Sequence, residues 1–285
     1  MIAMTRKEFV HFFLKNKKVI FAICVYAGLI FLALVGPYLT PYKDPLAFVG
    51  PGYQPPSKEH WLGTNTFGQD IFTQLVYGLR SSLFVGLLGG TLATVIGLLI
   101  GFVAGYRGGW FDELLMMFTN ILMVIPTLAL LIIIAAYLPY RGVFIESVII
   151  GFTAWPWTAR AVRAQTLSLK TREFVDLARI TARSSMKIIF GEIMPNMMSY
   201  VFMVFILQFG GAILAATGLD FIGLGPTRGI SLGIMMQQAT LWNAIQLGMW
   251  WWAVTPGAVI TLMVATLYVM NAGLDEVFNP KLREM

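Results

Sequence analysis

The sequence predicts an all-α polytopic membrane protein, and three observations carry that prediction. Of 285 residues, 58% are hydrophobic and 12% charged, with a mean hydropathy of +0.75, far from the composition of a soluble domain. Six apolar runs of lipid-crossing length recur along the chain. Lys and Arg gather in the connections on one side of those runs. The expectation is six transmembrane helices with both termini in the cytoplasm.

Residues 1–18 hold Arg6, Lys7, Lys15, Lys17 and Lys18 and read as a cytoplasmic segment. The run 19–36 follows at once. A signal peptide is the competing reading, but the run is longer than a signal core and ends in Gly36, Pro37 and Tyr38 without a small-residue cleavage site, which favours an uncleaved first transmembrane helix. Residues 37–80 are broken by Pro, Gly and polar side chains and form an extracytoplasmic segment, with turns at 60–65 and 68–70 leading into an amphipathic helix.

Residues 81–285 make a five-helix transmembrane core. Its first run, 83–106, contains Gly97, Gly101 and Gly105 in a row that lets a neighbouring helix approach closely. The next, 114–138, is interrupted and kinked at Pro126. The fourth run begins near Val143 and passes Trp155, Pro156 and Trp157, an interfacial anchor and bend, before Arg160 and Arg163, whose long side chains can extend to the interface. The fifth covers 197–217 and the sixth 248–271, separated by a Gly-rich outer loop, 218–247.

With the N-terminus inside, fifteen Lys and Arg residues fall on cytoplasmic pieces and five outside, the bias expected for that orientation. The net charge of +6 thus needs no nucleic acid to explain it. A single cysteine, Cys24, excludes an intrachain disulfide, and two distant histidines, His11 and His60, argue against a metal site or a His-based triad. The sixteen methionines lack a recurring ligand spacing, so packing is preferred to a copper path. No Gly-rich phosphate loop occurs, so the chain is expected neither to bind nor to hydrolyse ATP. The runs lack paired ionisable residues, which argues against ion coupling. Asn120 is the notable polar residue of the third run, and interhelix hydrogen bonding is its preferred role over substrate contact.

The stretch 172–195, REFVDLARITARSSMKIIFGEIMP, is too polar for lipid and forms a cytoplasmic island. Phe174, Leu177, Ala178, Thr181, Ser184, Ile188 and Ile189 recur at three- and four-residue intervals, predicting a short helix with one moderately apolar face. Periodicity alone serves an interfacial amphipathic helix equally well.

The order of residues in the island resembles the signature loop of membrane subunits of ATP-binding-cassette (ABC) importers. Asp176, Leu177 and Ala178 stand for Glu-Ala-Ala, Ala182 for the following Gly, and Met194 and Pro195 for the Leu-Pro ending. The segments HWLGTNTFGQD, AGYRGGWFDELLM, FIGLGP and LDEVFNPKLRE extend the likeness along nearly the whole chain. They are similar to the oligopeptide, dipeptide and nickel branch of these permeases, in its second, shorter member. After Pro226, residues 227–232 replace the further prolines and Trp-Gly of that branch.

The resemblance implies a type I ABC importer fold with a cytoplasmic coupling loop at 164–195. The implied function is a non-catalytic permease subunit of a binding-protein-dependent importer, forming half of a pathway for oligopeptides or oligosaccharides, with nickel disfavoured by the lack of a His cluster. An ion-coupled secondary transporter or channel subunit is the alternative. The implied partners are a second homologous permease, two ABC ATPase subunits that carry ATP and Mg, and an extracytoplasmic solute-binding protein, all at a prokaryotic cytoplasmic (inner) membrane. This chain itself holds no cofactor. By that likeness the ATPase-coupling residues are Glu173, Phe174, Asp176, Leu177, Ala178, Arg179, Ala182 and Pro195, with Asp176 at the helix N-terminus, Ala178 and Ala182 permitting close docking, and Pro195 bending the chain into the fifth run. Asp220, Phe221, Gly223, Gly225 and Pro226 are candidates for an outer gate or loop.

Overall fold

The computed structural model describes residues 15–278. The expected placements of Arg6, Lys7, His11, Lys281 and Arg283 lie outside the described residues. Every named element is helical.

Helix α1, Lys17–Leu39, starts where Asn16 turns its side-chain oxygen to the amides of Lys18 and Val19, at 3.0 and 3.2 Å. It buries Val19, Ala22, Leu29 and Ala33 and leaves Phe21, Phe31 and Leu34 exposed, as a helix does with protein on one side and lipid on the other. The last helix, α11 (Trp250–Phe278), runs beside it. Tyr26 Oη donates to Met263 O at 2.9 Å, Asn16 Nδ2 donates to Glu276 Oε2 at 2.9 Å, and Lys18 pairs with Glu276. The two ends of the described chain therefore meet at one end of the bundle.

Helix α2, Ile71–Arg107, is 37 residues long. The turns expected ahead of it are present, but the helix they lead into does not stop before the apolar run. Asp70 Oδ1 caps it by accepting from Thr73 N and Thr73 Oγ1, both at 2.7 Å, and the helix continues without a break. Its ~55 Å length exceeds the ~30 Å hydrocarbon layer, so part of it stands outside.

Two short helices follow, α3 (Gly109–Val124) and α4 (Thr127–Tyr137), set at 82° to each other. The expected kink at Pro126 is thus a full break. Pro126 offers no N–H, and Ile125 before it is extended at φ −77° and ψ 123°. Neither piece alone is long enough to cross, at ~24 and ~17 Å.

Helix α5 (Val143–Leu169) lies along α2 in the most extensive helix contact of the chain. The glycine row makes that contact possible. A Cβ at Gly97 would sit 2.5 Å from Thr158 Cβ, one at Gly101 2.7 Å from Ala159 O, and one at Gly105 2.7 Å from Thr166 Cβ. Trp155 and Trp157 lie in the middle of α5 rather than at its end.

The island holds the short helices α6 (Glu173–Ile180), α7 (Ser185–Ile188) and α8 (Met194–Asn196), and after it come α9 (Met198–Phe221) and α10 (Leu232–Leu241). Helix α10 falls inside the expected outer loop. Ser231 Oγ caps it, accepting from Ile234 N at 3.1 Å, and its Leu232 and Met235 are fully buried. The loop therefore folds back onto α2, α9 and α11.

Among the described residues four helices, α1, α2, α9 and α11, are long and apolar enough to cross a membrane, or five if α3 and α4 form one broken span. Six spans are not reached on length and apolarity. Helix α5 is not among them; it carries Glu146, Arg160 and Arg163, and close packing on α2 holds it in the bundle.

A leucine at Gly101 should push α5 away, while Gly211 has nothing within 4 Å of an added Cβ. Overpacking costs about 1–3 kcal/mol, and each kcal/mol is worth about 2–4 °C in a chain of this size. Thermal unfolding of the purified chain in detergent should show Gly101→Leu melting lower and Gly211→Leu unchanged. Equal melting of the two would refute the close α2–α5 contact.

Candidate coupling surface and outer loop

The island is not one helix. It consists of α6 (Glu173–Ile180), α7 (Ser185–Ile188), a π-helical turn (Ile189–Ile193) and α8 (Met194–Asn196). The buried face also differs from the expected one. Val175 and Ala178 pack inward against Leu98 and Phe102 of α2, Val162 of α5, and Ile188, Ile189 and Ile193, whereas Leu177 is 64% and Ile180 81% exposed. Thr181 and Ser184, assigned to the apolar face, are exposed.

Helix α6 is thereby fixed on its own chain by one side and open on the other. Arg179 belongs to the fixed side, with its guanidinium 5.6 Å from the Tyr106 ring centre and 2.9 Å from Asp176 Oδ1. The Tyr106 hydroxyl, then the neighbouring Asp176 carboxylate, push it above its already high ordinary pKa. Glu173 and Asp176 occupy the first turn and are exposed, as is Leu177, and Phe174 is half-buried. Ala178 is buried within this chain, so its small side chain serves packing against α2 and not a partner directly. Ile180 was missed by the sequence reading. An isolated apolar residue at the C-terminal end of a short helix with two acidic side chains and one basic one was its only signal.

The turn after α6 explains Ala182. Its N–H donates to Arg179 O at 2.9 Å and the Arg183 N–H reaches Ala178 O at 3.4 Å, a Schellman closure that needs a left-handed residue at its centre. Ala182 takes that conformation at φ 56°. Pro195 is exposed in α8, after the π turn and before the break at Met197 that starts α9. A proline has no amide to give the preceding turn, and the widened turn before it suits that loss.

At the opposite end, α9 closes the same way with glycine in place. Gly223 N–H donates to Asp220 O at 2.9 Å, Leu224 N–H donates to Leu219 O at 3.1 Å, and Gly223 sits at φ 87°. Asp220 is 2% exposed, accepts from Ser231 Oγ, and has the buried Glu146 of α5 beside it. Gly225 is buried against this carboxyl, Pro226 next to it in the chain is buried as well, and a Cβ at Gly233 would meet Asp220 Cβ at 2.6 Å. Phe221 is exposed. Thr227 N donates to Arg141 O at 2.8 Å, tying this loop to the connection between α4 and α5.

Ionisable groups that look unpaired along the sequence are therefore paired in space. Glu146 meets Asp220, and Arg163 grips both oxygens of Asp112 at 2.5 and 2.6 Å. Arg160 Nη2 donates to Asn120 Oδ1 at 2.5 Å, so Asn120 does make an interhelix bond, and both arginines reach a neighbouring helix. A buried polar core between α1 and α2 was also missed: His60 Nδ1 lies 3.0 Å from Asp70 Oδ2, and Asn65 Nδ2 donates to Gln69 Oε1 at 2.8 Å.

Among the described residues the bundle has four helices long and apolar enough to cross a membrane, and it seats one short, charged helix on α2 and α5. The profile described as "Binding-protein-dependent transport system inner membrane component" matches residues 97–284, and one described as "N-terminal TM domain of oligopeptide transport permease C" matches residues 6–56. The chain belongs to this family of binding-protein-dependent ABC importer permeases and is a multi-pass protein of the inner membrane. It is 32% identical to the oligopeptide transport system permease protein OppC of Mycobacterium tuberculosis, over 99% of this chain and 97% of that one. It is 32% identical to the dipeptide transport system permease protein DppC of Bacillus subtilis, over 94% and 83%, and 35% identical to a putative peptide transport system permease of Brucella suis, over 88% and 83%. In fold it is similar to a chain of the MetNI methionine ABC transporter in its inward-facing form, with a TM-score of 0.57 and 18% identity, covering 72% of this chain and 97% of that chain.

Because alanine at a left-handed position is strained by about 1 kcal/mol relative to glycine, Ala182→Gly should tighten the turn after α6. Hydrogen exchange at the Ala182 and Arg183 amides should slow roughly fivefold, whereas Ala182→Val should speed it. Unchanged exchange in both variants would show that the turn is not closed this way.

Proposed function

We propose that this chain is one of two homologous permeases in a peptide importer driven by two ABC ATPase subunits, that one of these docks on its α6, and that a solute-binding protein delivers cargo from outside. The observation that carries the reading is the two-sidedness of α6. Val175 and Ala178 are packed against the bundle while Leu177 and Ile180 stand exposed beside Glu173 and Asp176. An apolar pair held outward on a firmly seated helix fits a partner protein better than solvent.

Six passes with both termini in the cytoplasm suit the meeting of Asn16 and Lys18 with Glu276, since an even number of crossings brings the two ends to one side. In that arrangement α3 and α4 together, and α5, supply the remaining crossings, and residues 37–70 cap the outer face. The separate profile matches at 6–56 and 97–284 favour an N-terminal helix added to a five-helix core beginning near residue 81. The relatives reported above are named for peptides, which favours peptides over oligosaccharides. Catalysis and the ATP and Mg it uses belong to the ATPase subunits in this reading, and the chain needs no cofactor.

Co-purification with the ATPase subunits tests the docking surface. Wild type should hold them, and Leu177→Asp, Ile180→Asp or Asp176→Lys should each weaken retention by about tenfold, as expected for loss of an interface anchor. Ala182→Trp should uncouple binding-protein-stimulated ATP hydrolysis. Retention and stimulation that survive all four changes would return α6 to an interfacial helix.

A further inference from the structure

The two sides of α9 differ in kind. On one side, a groove of about 580 Å3 between α1, α2, α9 and α11 is lined by apolar residues such as Ile30, Leu87 and Phe209, with Arg80 its one charged member. The other side faces a furrow floored by α5 and walled by α9 and α3, and here the polar groups collect. Gln208 Nε2 donates to Ala154 O at 3.0 Å and to Thr158 Oγ1 at 2.6 Å, and across the furrow Arg160 Nη2 donates to Asn120 Oδ1. Ala154, Trp157 and Arg160 follow one another at a spacing of three, which places Trp157, 45% exposed, between the two walls. A hollow of about 290 Å3 is lined by Ala154, Trp157, Leu207 and Gln208.

The chemistry of this furrow is selective. Gln208 has committed both amide hydrogens to α5, so the part of it left for a ligand is the acceptor Oε1. Arg160 is exposed, forms no ion pair among the described residues, and has a neutral amide oxygen as its hydrogen-bond acceptor. It stands three residues, about 4.5 Å along α5, before Arg163, whose charge is matched by Asp112. An unmatched guanidinium within a bundle is costly against lipid and faces either water or an anion. A peptide presents N–H donors along its length and one carboxylate at its end, the complement of an acceptor lining with a single cation.

We propose that this furrow is the wall of the translocation path contributed by this chain, and that Arg160 receives the C-terminal carboxylate of a peptide in transit. The inference rests on the peptide-importer reading given above.

Two measurements on the assembled transporter in proteoliposomes test it. In a Cys24→Ser background, Trp157→Cys and Leu207→Cys should react with a membrane-impermeant thiol reagent during turnover about tenfold faster than Leu87→Cys in the apolar groove, as water-lined and lipid-facing sites do. Equal rates overturn the placement of the path. Uptake is then compared for one peptide as the free acid and as its C-terminal amide. Arg160→Gln should lower free-acid uptake by about tenfold and amide uptake by no more than about twofold, the signature of one lost charged contact, and Arg160→Lys should restore most of the preference. Equal losses for both peptides, or no loss, overturn the carboxylate role and leave Arg160 as a tie to α3. The labelling arm keeps Arg160 intact, so misfolding of Arg160→Gln does not shield the proposal. Binding-protein-stimulated ATP hydrolysis of the wild-type complex is recorded in parallel: its absence defeats the importer reading, whereas its presence with unreactive furrow cysteines defeats the furrow alone.

Discussion

Close backbone approach between α2 and α5 is the constraint on which the rest of this bundle depends. Within lipid there is no hydrophobic drive to bring one apolar helix to another, so contact area and short packing distances have to supply it. The row Gly97, Gly101 and Gly105 removes every side chain that would hold α5 away, and Thr158, Ala159, Val162 and Thr166 fill the space. That contact lets α5 keep three charged residues and still belong to the membrane-embedded bundle. It also fixes what α5 carries at each end, namely the seat of α6 at one and the contact with the outer loop at the other.

How much of this is legible in the sequence depends on whether the signal is local. The glycine row was readable, because its spacing alone puts three bare positions on one helix face, and the break at Pro126 was readable in place though not in size. The end of α2 was not: the helix starts at Ile71 because Asp70 folds its carboxylate onto Thr73, and a cap inside a Gly- and Pro-rich segment gives no periodic signal. The island misled for a related reason. Its apolar positions were read as one continuous helix, but the left-handed turn at Ala182 resets the phase, so Val175 and Ala178 face inward and Leu177 outward. Among the candidate site residues, the structure brings Gly225 against the buried carboxyl of Asp220, while Ala178 and Arg179 turn to their own chain. Glu146 and Asp220 are far apart in the chain, and no pattern along the sequence shows that they meet.

The two Schellman closures show how the same backbone requirement is met with different firmness. Gly223 accepts φ 87° without penalty, and the loop it begins lays Gly225 against Asp220 and is bonded to Arg141 through Thr227. Ala182 accepts φ 56° against the contact of its own Cβ with the backbone. The outer turn is therefore the relaxed one and the turn beside the exposed Leu177 and Ile180 the strained one. A strained residue persists where its surroundings hold it, and here those surroundings are the packed Val175 and Ala178 together with Arg179 over Tyr106.

These two ends are joined by one element. Helix α5 leaves the Arg141 connection, which holds Thr227 of the outer loop, and runs uninterrupted from Val143 to Leu169; three residues later the chain enters α6. At 1.5 Å per residue that helix is a rod of ~40 Å. Because the glycine row seats it along α2 with little free space, α5 can shift only as a body, and packed interfaces of this kind move between discrete arrangements rather than bending continuously. A partner that displaced Leu177 and Ile180 would therefore act through α5 on Glu146, Asp220 and the loop that covers them. The furrow beside Trp157 lies midway along the same rod, so any movement of α6 large enough to reach the outer loop must also pass the place where cargo is proposed to lie.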